Sequence, residues 1–144
     1  MKSLAATAPC PCGRLGAAPG QKGQPLCYGE CCGKYLEGHG LNSPFPGDAQ
    51  SLMRSRYSAF VLEREDYLLA TWDVTRRPAS IAFDSGVKWL GLEVRSLRTL
   101  DESHAEVEFI ARQKPAQGPA VRLHERSRFV RSGVHWHYVD GDVL

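Results

Sequence analysis

The sequence predicts an α+β domain with a small cysteine-rich appendage at its N-terminus. Three observations lead there. Apolar residues recur at helical spacing from residue 48 to about 73, and they alternate with a period of two from about 88 to 139. All five cysteines fall within the first 32 residues, at 10, 12, 27, 31 and 32. Helices followed by a run of one-face-wet strands make a helical layer packed on an antiparallel sheet.

The elements follow in order. Residues 1–9 read as a flexible terminus without an apolar h-region, so no signal peptide is expected and the compartment is expected to be cytoplasmic. Residues 10–33 are rich in Gly, Pro and Cys and form a knuckle, and residues 34–47 read as a linker studded with turn residues. The main domain takes residues 48–144. Asp48 is placed to cap a helix over 48–62, whose apolar set is Leu52, Met53, Tyr57, Phe60 and Val61. A break at Glu63–Glu65 precedes a second helix over about 65–73, with Tyr67, Leu68 and Trp72 inward. Strands are predicted over 88–98, 103–113, 120–131 and 134–139, with hairpin links at 114–119 and Arg131–Gly133.

Composition bounds the function classes. A chain of 144 residues holds one ordinary domain plus an appendage. Its 42% hydrophobic and 24% charged residues argue against wholesale disorder. A net charge of +2, from 18 Lys+Arg against 16 Asp+Glu, is too mild for a dedicated nucleic-acid protein. No apolar run approaches the roughly 18 residues of a bilayer span, so no membrane association is expected.

The knuckle carries the strongest chemistry. Cys10-Pro11-Cys12-Gly13 and Cys31-Cys32-Gly33 bracket it, and cysteines crowded into one segment of a cytosolic chain favour a metal over disulfides. Zinc takes four ligands in a tetrahedron and prefers thiolates at structural sites. Between residues 10 and 46 the larger apolar side chains are Leu15, Leu26, Leu36, Leu41 and Phe45, with Tyr28 and Tyr35. So few cannot offset an ordering cost of ~1–2 kcal/mol per residue, whereas a structural zinc contributes on the order of 10–16 kcal/mol in small peptides. The competing readings are free surface thiols or a vicinal Cys31–Cys32 disulfide. Cys27 lies close enough in sequence to replace one of that adjacent pair.

In the main domain, alternation sets Leu123, Glu125, Ser127 and Phe129 on one strand face. If that face is inward, Glu125 is a carboxylate among apolar groups, and a buried charge requires a partner, expected to be Arg54 or Arg56. Two residues apart on a helix, these arginines point about 200° apart. One therefore faces the sheet and the other faces solvent or the knuckle. Glu125 and Tyr57 are the candidate polar groups of a pocket. A structural ion pair locking helix to sheet is the plainer account of Glu125. Trp72, Trp89, Trp136 and Tyr138 read as core, or as a stacking surface for a planar ligand. His135 and His137 share a strand face, but two imidazoles alone make a poor metal site. Arg122, Arg126 and Arg128 form a basic stripe that can touch phosphate or simply face solvent. No nucleophile–base pairing emerges from spacing, which weighs against an enzyme.

The quoted cysteine pairs, with Tyr28-Gly29-Glu30 before Cys31-Cys32-Gly33, resemble the SEC-C zinc motif, with an extra segment, roughly Leu15–Pro25, between the pairs. That resemblance implies Cys10, Cys12, Cys31 and Cys32 as ligands and leaves Cys27 spare. Downstream, Leu52-Met53-Arg54-Ser55-Arg56-Tyr57-Ser58-Ala59-Phe60, then Asp66-Tyr67-Leu68 with Thr71-Trp72, Trp89-Leu90-Gly91-Leu92, Glu125-Arg126-Ser127-Arg128-Phe129 and Trp136-His137-Tyr138-Val139-Asp140-Gly141 resemble the YchJ family of bacterial proteins. The resemblance implies a nuclear transport factor 2-like cone, with helices packed against a strongly bent sheet. Many members carry a second SEC-C motif; these 144 residues contain one.

Three functions follow as expectations. The first is a zinc-dependent interaction protein that docks a protein partner through the knuckle. The second is a small-molecule-binding or enzymatic cone whose pocket involves Arg54, Tyr57, Trp72, Glu125 and Trp136. The third is weak binding of nucleic acid or the ribosome through the arginine stripe. A homodimer is compatible with each.

Overall fold

The computed structural model describes residues 1–40 and 44–144, so Leu41 of the linker lies outside the described residues. Along the chain come a 3-10 turn at Tyr28–Glu30, helices α1 (Gly33–Leu36), α2 (Ala49–Val61) and α3 (Glu65–Ala70), and strands β1 (Lys88–Thr99), β2 (His104–Lys114), β3 (Val121–Ser132) and β4 (His135–Val143).

Asp48 starts α2 as expected. It is extended, with φ −147°, and its carboxylate accepts from the Ser51 N–H at 2.7 Å. The helix ends where Glu63 enters the left-handed region at φ +57° and the Arg64 N–H reaches back to the Ala59 carbonyl at 2.8 Å. Three neighbours share its surface. Met53, Arg56, Tyr57 and Phe60, at i, i+3, i+4 and i+7, face the sheet across a cavity. Leu52, Ser55 and Ala59 are fully buried, and Ser55 Oγ lies 2.7 Å from the Tyr67 hydroxyl of α3. Ser51, Arg54 and Ser58 face the knuckle.

α3 carries Glu65 and Asp66 in its first turn, where the helix dipole favours acids. It stops at Ala70, short of the expected 73. The Thr71 hydroxyl caps the Tyr67 carbonyl at 2.8 Å, and the chain then leaves to pair Trp72 with Tyr138 of β4. Tyr138 N–H donates to the Thr71 carbonyl at 2.8 Å, and Asp73 N–H donates to the Tyr138 carbonyl at 2.7 Å. This bridge ties the helical layer to the last strand.

The four strands form one antiparallel meander in the order β1-β2-β3-β4. Register shifts at Trp89/Gly91, Val94/Ser96 and Arg128/Phe129 bend it around α2. β4 runs to Val143, past the expected 139. Arg128 holds Asp140 and Asp142 from the neighbouring strand. Gly141 fits because a side chain there would meet the Glu125 carboxylate at 2.7 Å.

Residues 1–9, expected as a loose terminus, are instead tied down. The Lys2 N–H donates to the Leu62 carbonyl at 2.8 Å, Tyr28 N–H to the Ala8 carbonyl at 2.7 Å, and Gly29 N–H to the Ala6 carbonyl at 2.9 Å. These are main-chain bonds, which composition does not reveal. No helix among the described residues is long and apolar enough to cross a membrane.

Candidate metal centre and cone cavity

The knuckle brings four sulfurs together. A hydrogen bond from Gly13 N–H to the Cys10 carbonyl at 3.1 Å closes a tight turn, with Gly13 at φ +72°, and sets Cys10 beside Cys12. Cys31 and Cys32 leave the 3-10 turn and enter α1. Gly33 is obligatory there, since a Cβ would lie 2.6 Å from the Tyr28 carbonyl and 2.9 Å from its ring. Tyr28 is wholly buried, and its hydroxyl donates to Glu37 at 2.6 Å; Arg64 pairs with Glu37 at 2.9 Å.

The Sγ atoms of Cys10, Cys12, Cys31 and Cys32 all lie within 4.8 Å of one another, and all four residues are buried. Cys12 and Cys31 are 3.6 Å apart, far beyond a disulfide bond. Tetrahedral bonds of about 2.3 Å to zinc separate the sulfurs by about 3.8 Å, so the donor set and its size fit a metal ion. Thiol chemistry points the same way. S–H groups of Cys12, Cys31 and Cys32 aimed at Cys10 drive the Cys10 thiol well below its ordinary range. Cys32 is pushed up, first because its proton is held by Cys10. Without a cation the cluster favours one thiolate among protonated neighbours; a cation at its centre allows all four to ionise. Cys27 is exposed and lies outside the cluster.

The knuckle is fused to α2. Arg54 Nη1 donates to the Cys12 carbonyl at 2.9 Å while its Nε donates to Gln50 at 3.0 Å. Arg14 donates to Ser51 Oγ at 2.9 Å, and Ser58 Oγ sits 3.8 Å from Cys10 Sγ. The segment between the cysteine pairs forms a narrow ribbon, with Leu15 opposite Pro25 and Gly16 opposite Lys22; Leu15 at its base is 55% exposed.

On the other side of α2 lies a cavity of about 370 Å³, open to solvent and walled largely by aromatic side chains, among them Phe60, Trp89, Phe109 and Phe129. Tyr57, Trp72 and Glu125 line it; Arg54 and Trp136 do not. Arg54 faces the knuckle because the helix turns it away from the sheet. Trp136 lies on the strand face of Tyr138 but one repeat further on, and lines a second cleft with Tyr35, His39, Tyr67 and His135. Its Nε1 is buried without a partner among the described residues.

Arg56 is the residue turned into the cone, 5% exposed. The expected ion pair with Glu125 is not formed: no carboxylate of the described residues lies within 4.0 Å of Arg56, and Glu125 accepts instead from the Ser127 hydroxyl. The guanidinium is sandwiched between Trp72, 5.0 Å from the ring centre, and Tyr138, at 4.7 Å. Its Nη1 donates to the Leu68 carbonyl at 2.8 Å and to Thr71 Oγ1 at 2.7 Å. Burial lowers its pKa to about 10. The i, i+3, i+4, i+7 stripe of Met53, Arg56, Tyr57 and Phe60 was the available sequence signal for an arginine on the inner face.

Two of the three arginines of the β3 stripe are matched by acids across the sheet, while Arg122 stands opposite Arg112. Arg128 bonds Asp140 at 2.6 Å and Asp142 at 2.7 Å, and Arg126 lies 3.5 Å from Glu108. Around those pairs the face carries little net positive charge for phosphate. His135 stacks on Phe45 with ring centres 4.0 Å apart rather than joining His137 in a site.

A bent meander closed by helices, with a cavity between them and a four-cysteine knuckle, defines an NTF2-like domain preceded by a SEC-C-type cysteine cluster. Residues 48–141 match the family profile described as YchJ, middle NTF2-like domain. The chain belongs to this family, that of the YchJ or UPF0225 proteins. It is 64% identical over 134 residues to a UPF0225 protein of Polaromonas sp., covering 93% of this chain and 92% of the relative. Against a UPF0225 protein of Bordetella pertussis it is 46% identical over 144 residues, covering 99% and 98%. Among solved structures, a SEC-C motif containing protein of Psychrobacter arcticus superimposes with TM-score 0.76 at 31% identity, covering 96% of this chain and 84% of that one. One from Rhodopseudomonas palustris gives 0.71 at 32% identity, covering 85% and 95%.

Proposed function

We propose that this protein is a zinc-clamped small-molecule-binding domain. Zinc is the metal a buried four-thiolate set of this size suits best, and a reducing, cytoplasmic compartment keeps such thiols available. In this reading the metal locks the N-terminal arm onto α2, and the working surface is the cone. The observation that carries it is the cavity of about 370 Å³, within the size range of ligand pockets, apolar-walled with a few convergent polar groups. Side chains that simply filled a core would leave no such opening.

The test is an amide-shift screen of the zinc-loaded chain against small aromatic compounds, neutral and charged. Binders are expected to shift residues of α2 and β3 that line the cone. If no compound of either charge shifts them, the reading fails.

A second reading, docking of a protein partner on the knuckle, is favoured by one observation: the Leu15–Pro25 ribbon projects with Leu15 exposed. Capture experiments with intact chain and with a ribbon-shortened variant should recover different partners; identical sets sink it.

A further inference from the structure

Arg56 combines three properties that rarely occur together without a ligand. Its guanidinium is almost wholly buried, no carboxylate of the described residues lies within 4.0 Å, and only Nη1 is used in hydrogen bonds among them. A buried cation with no carboxylate in contact is costly, and cation–π contact with Trp72 and Tyr138, together with the more distant Glu125, offsets part of that cost only. Nε and Nη2 donate to no acceptor of the described residues, yet neither is among the sealed, partnerless atoms of the structure. Arg56 lines the cone, so these donors look into it.

We infer that the cone cavity is the receptor for a small monocarboxylate with a flat apolar body, its carboxylate held by Nε and Nη2 of Arg56; this rests on reading the cone as a ligand-binding domain. The two open donors lie on one edge of a planar fork, which matches the two oxygens of a carboxylate. A single buried positive charge balances a single negative one. Glu125, which lines the cavity from β3 opposite α2, disfavours a second negative charge, which sets a carboxylate monoanion apart from a phosphate dianion. The rest of the lining fits a ring. Trp89 packs edge-on to Tyr57 with ring centres 5.5 Å apart and lies 6.2 Å from Phe60, and Phe129 packs against Tyr138 at 5.8 Å. These aromatic faces and edges supply the apolar surround of a planar body.

The experiment titrates the zinc-loaded full chain with benzoate and phenylacetate, with the neutral isosteres benzamide and phenylacetamide, and with inorganic phosphate, following amide shifts. The acids are expected to bind on the order of tenfold or more tighter than their amides. Arg56→Met should erase that preference. Should Arg56→Met fail to fold, Glu125→Gln carries the test, because removing the neighbouring negative charge should tighten benzoate severalfold and leave benzamide unchanged. Acid and amide binding equally, with no response to either variant, overturns the carboxylate inference while leaving a ligand-binding cone intact. Phosphate displacing benzoate at equal concentration also overturns the assigned class. If no probe of either charge binds, the ligand-binding reading itself falls.

Discussion

The two flanks of α2 are built on opposite principles. Towards the knuckle, each polar group has a partner: Ser51 binds Asp48 and Arg14, Arg54 binds Gln50 and the Cys12 carbonyl, and Ser58 meets Cys10. Towards the cone, Arg56 keeps two donors open and Trp72 Nε1 has no partner at all. On the first flank the polar side chains are spent on bonds to the N-terminal arm, with a cleft of about 200 Å³ left beside Cys31 and Cys32. The second retains space and unspent hydrogen-bonding capacity. One helix therefore separates a surface made for stability from one made for reception, and substitutions on the two sides should fail in different ways.

The largest effect belongs to the metal. Chelation, or Cys31→Ser, should remove the zinc proposed to sit among the four sulfurs. With few apolar residues to hold them, residues 1–40 should lose amide dispersion while β1–β4 retain theirs. A loss on the order of 5 kcal/mol or more is expected, lowering the thermal midpoint by on the order of 10 °C or more. Elemental analysis should find one zinc per wild-type chain and none in the variant. A metal-free protein with an unchanged melting transition would break the comparison, because the knuckle would then stand without its clamp.

A pair of glycines sharpens the contrast at the next level down. In Gly33→Ala the new methyl meets the Tyr28 carbonyl and ring at 2.6 and 2.9 Å, both fixed by burial. Overpacking against such rigid neighbours should cost about 1–3 kcal/mol and weaken zinc retention. In Gly141→Ala the methyl meets the Glu125 carboxylate at 2.7 Å, the movable end of a side chain, and only brushes backbone, the Arg126 carbonyl at 3.0 Å. That substitution should cost under about 1 kcal/mol, yet displace Glu125 and alter what the cone binds. Denaturant midpoints with zinc content and ligand titration on both variants separate the two outcomes. Equal costs, with zinc and ligand binding equally affected, would mean that the flanks are not independent.

Much of this architecture was legible in the sequence, and what was not has a common cause. Asp48 and the 3.6-residue spacing exposed α2, and clean alternation exposed β2 and β3. Cysteine spacing marked the knuckle but left Cys27 open as a ligand, and the resemblance to the SEC-C motif singled out Cys10, Cys12, Cys31 and Cys32. What stayed hidden depends on atoms brought together by the bend of the sheet. The partners of Arg56 are two rings, one from the segment after α3 and one from β4, and they meet only through the Trp72–Tyr138 bridge. Charge logic alone pointed to Glu125. Likewise the last strand was expected to end at 139, and Arg128, which bonds Asp140 and Asp142, is seen only in the folded sheet. The anchoring of residues 1–9 uses main-chain groups, which carry no sequence signature.

The smallest effect tests the outer face of the sheet, which neither flank of α2 touches. Arg128 donates to Asp142 at 2.7 and 3.2 Å, and this holds the Asp142 carboxyl below the ordinary carboxylate range. A folded-state pKa depressed in this way stabilises the fold above the unfolded value, about 3.9, and the contribution disappears as pH falls through the folded value. Asp142→Asn should therefore be slightly less stable than wild type near neutral pH, and the gap should close on acidification. The gap stays small because the pair is solvent-screened and Arg128 keeps Asp140 at 2.6 Å. Zinc release should precede this closure, since protons compete for the four sulfurs at higher pH than for a carboxylate paired with arginine. Urea midpoints of wild type and variant across the acid range, read from sheet amides, follow it directly. A gap that persists or widens as pH falls would show that Asp142 contributes through packing or backbone geometry rather than through its charge.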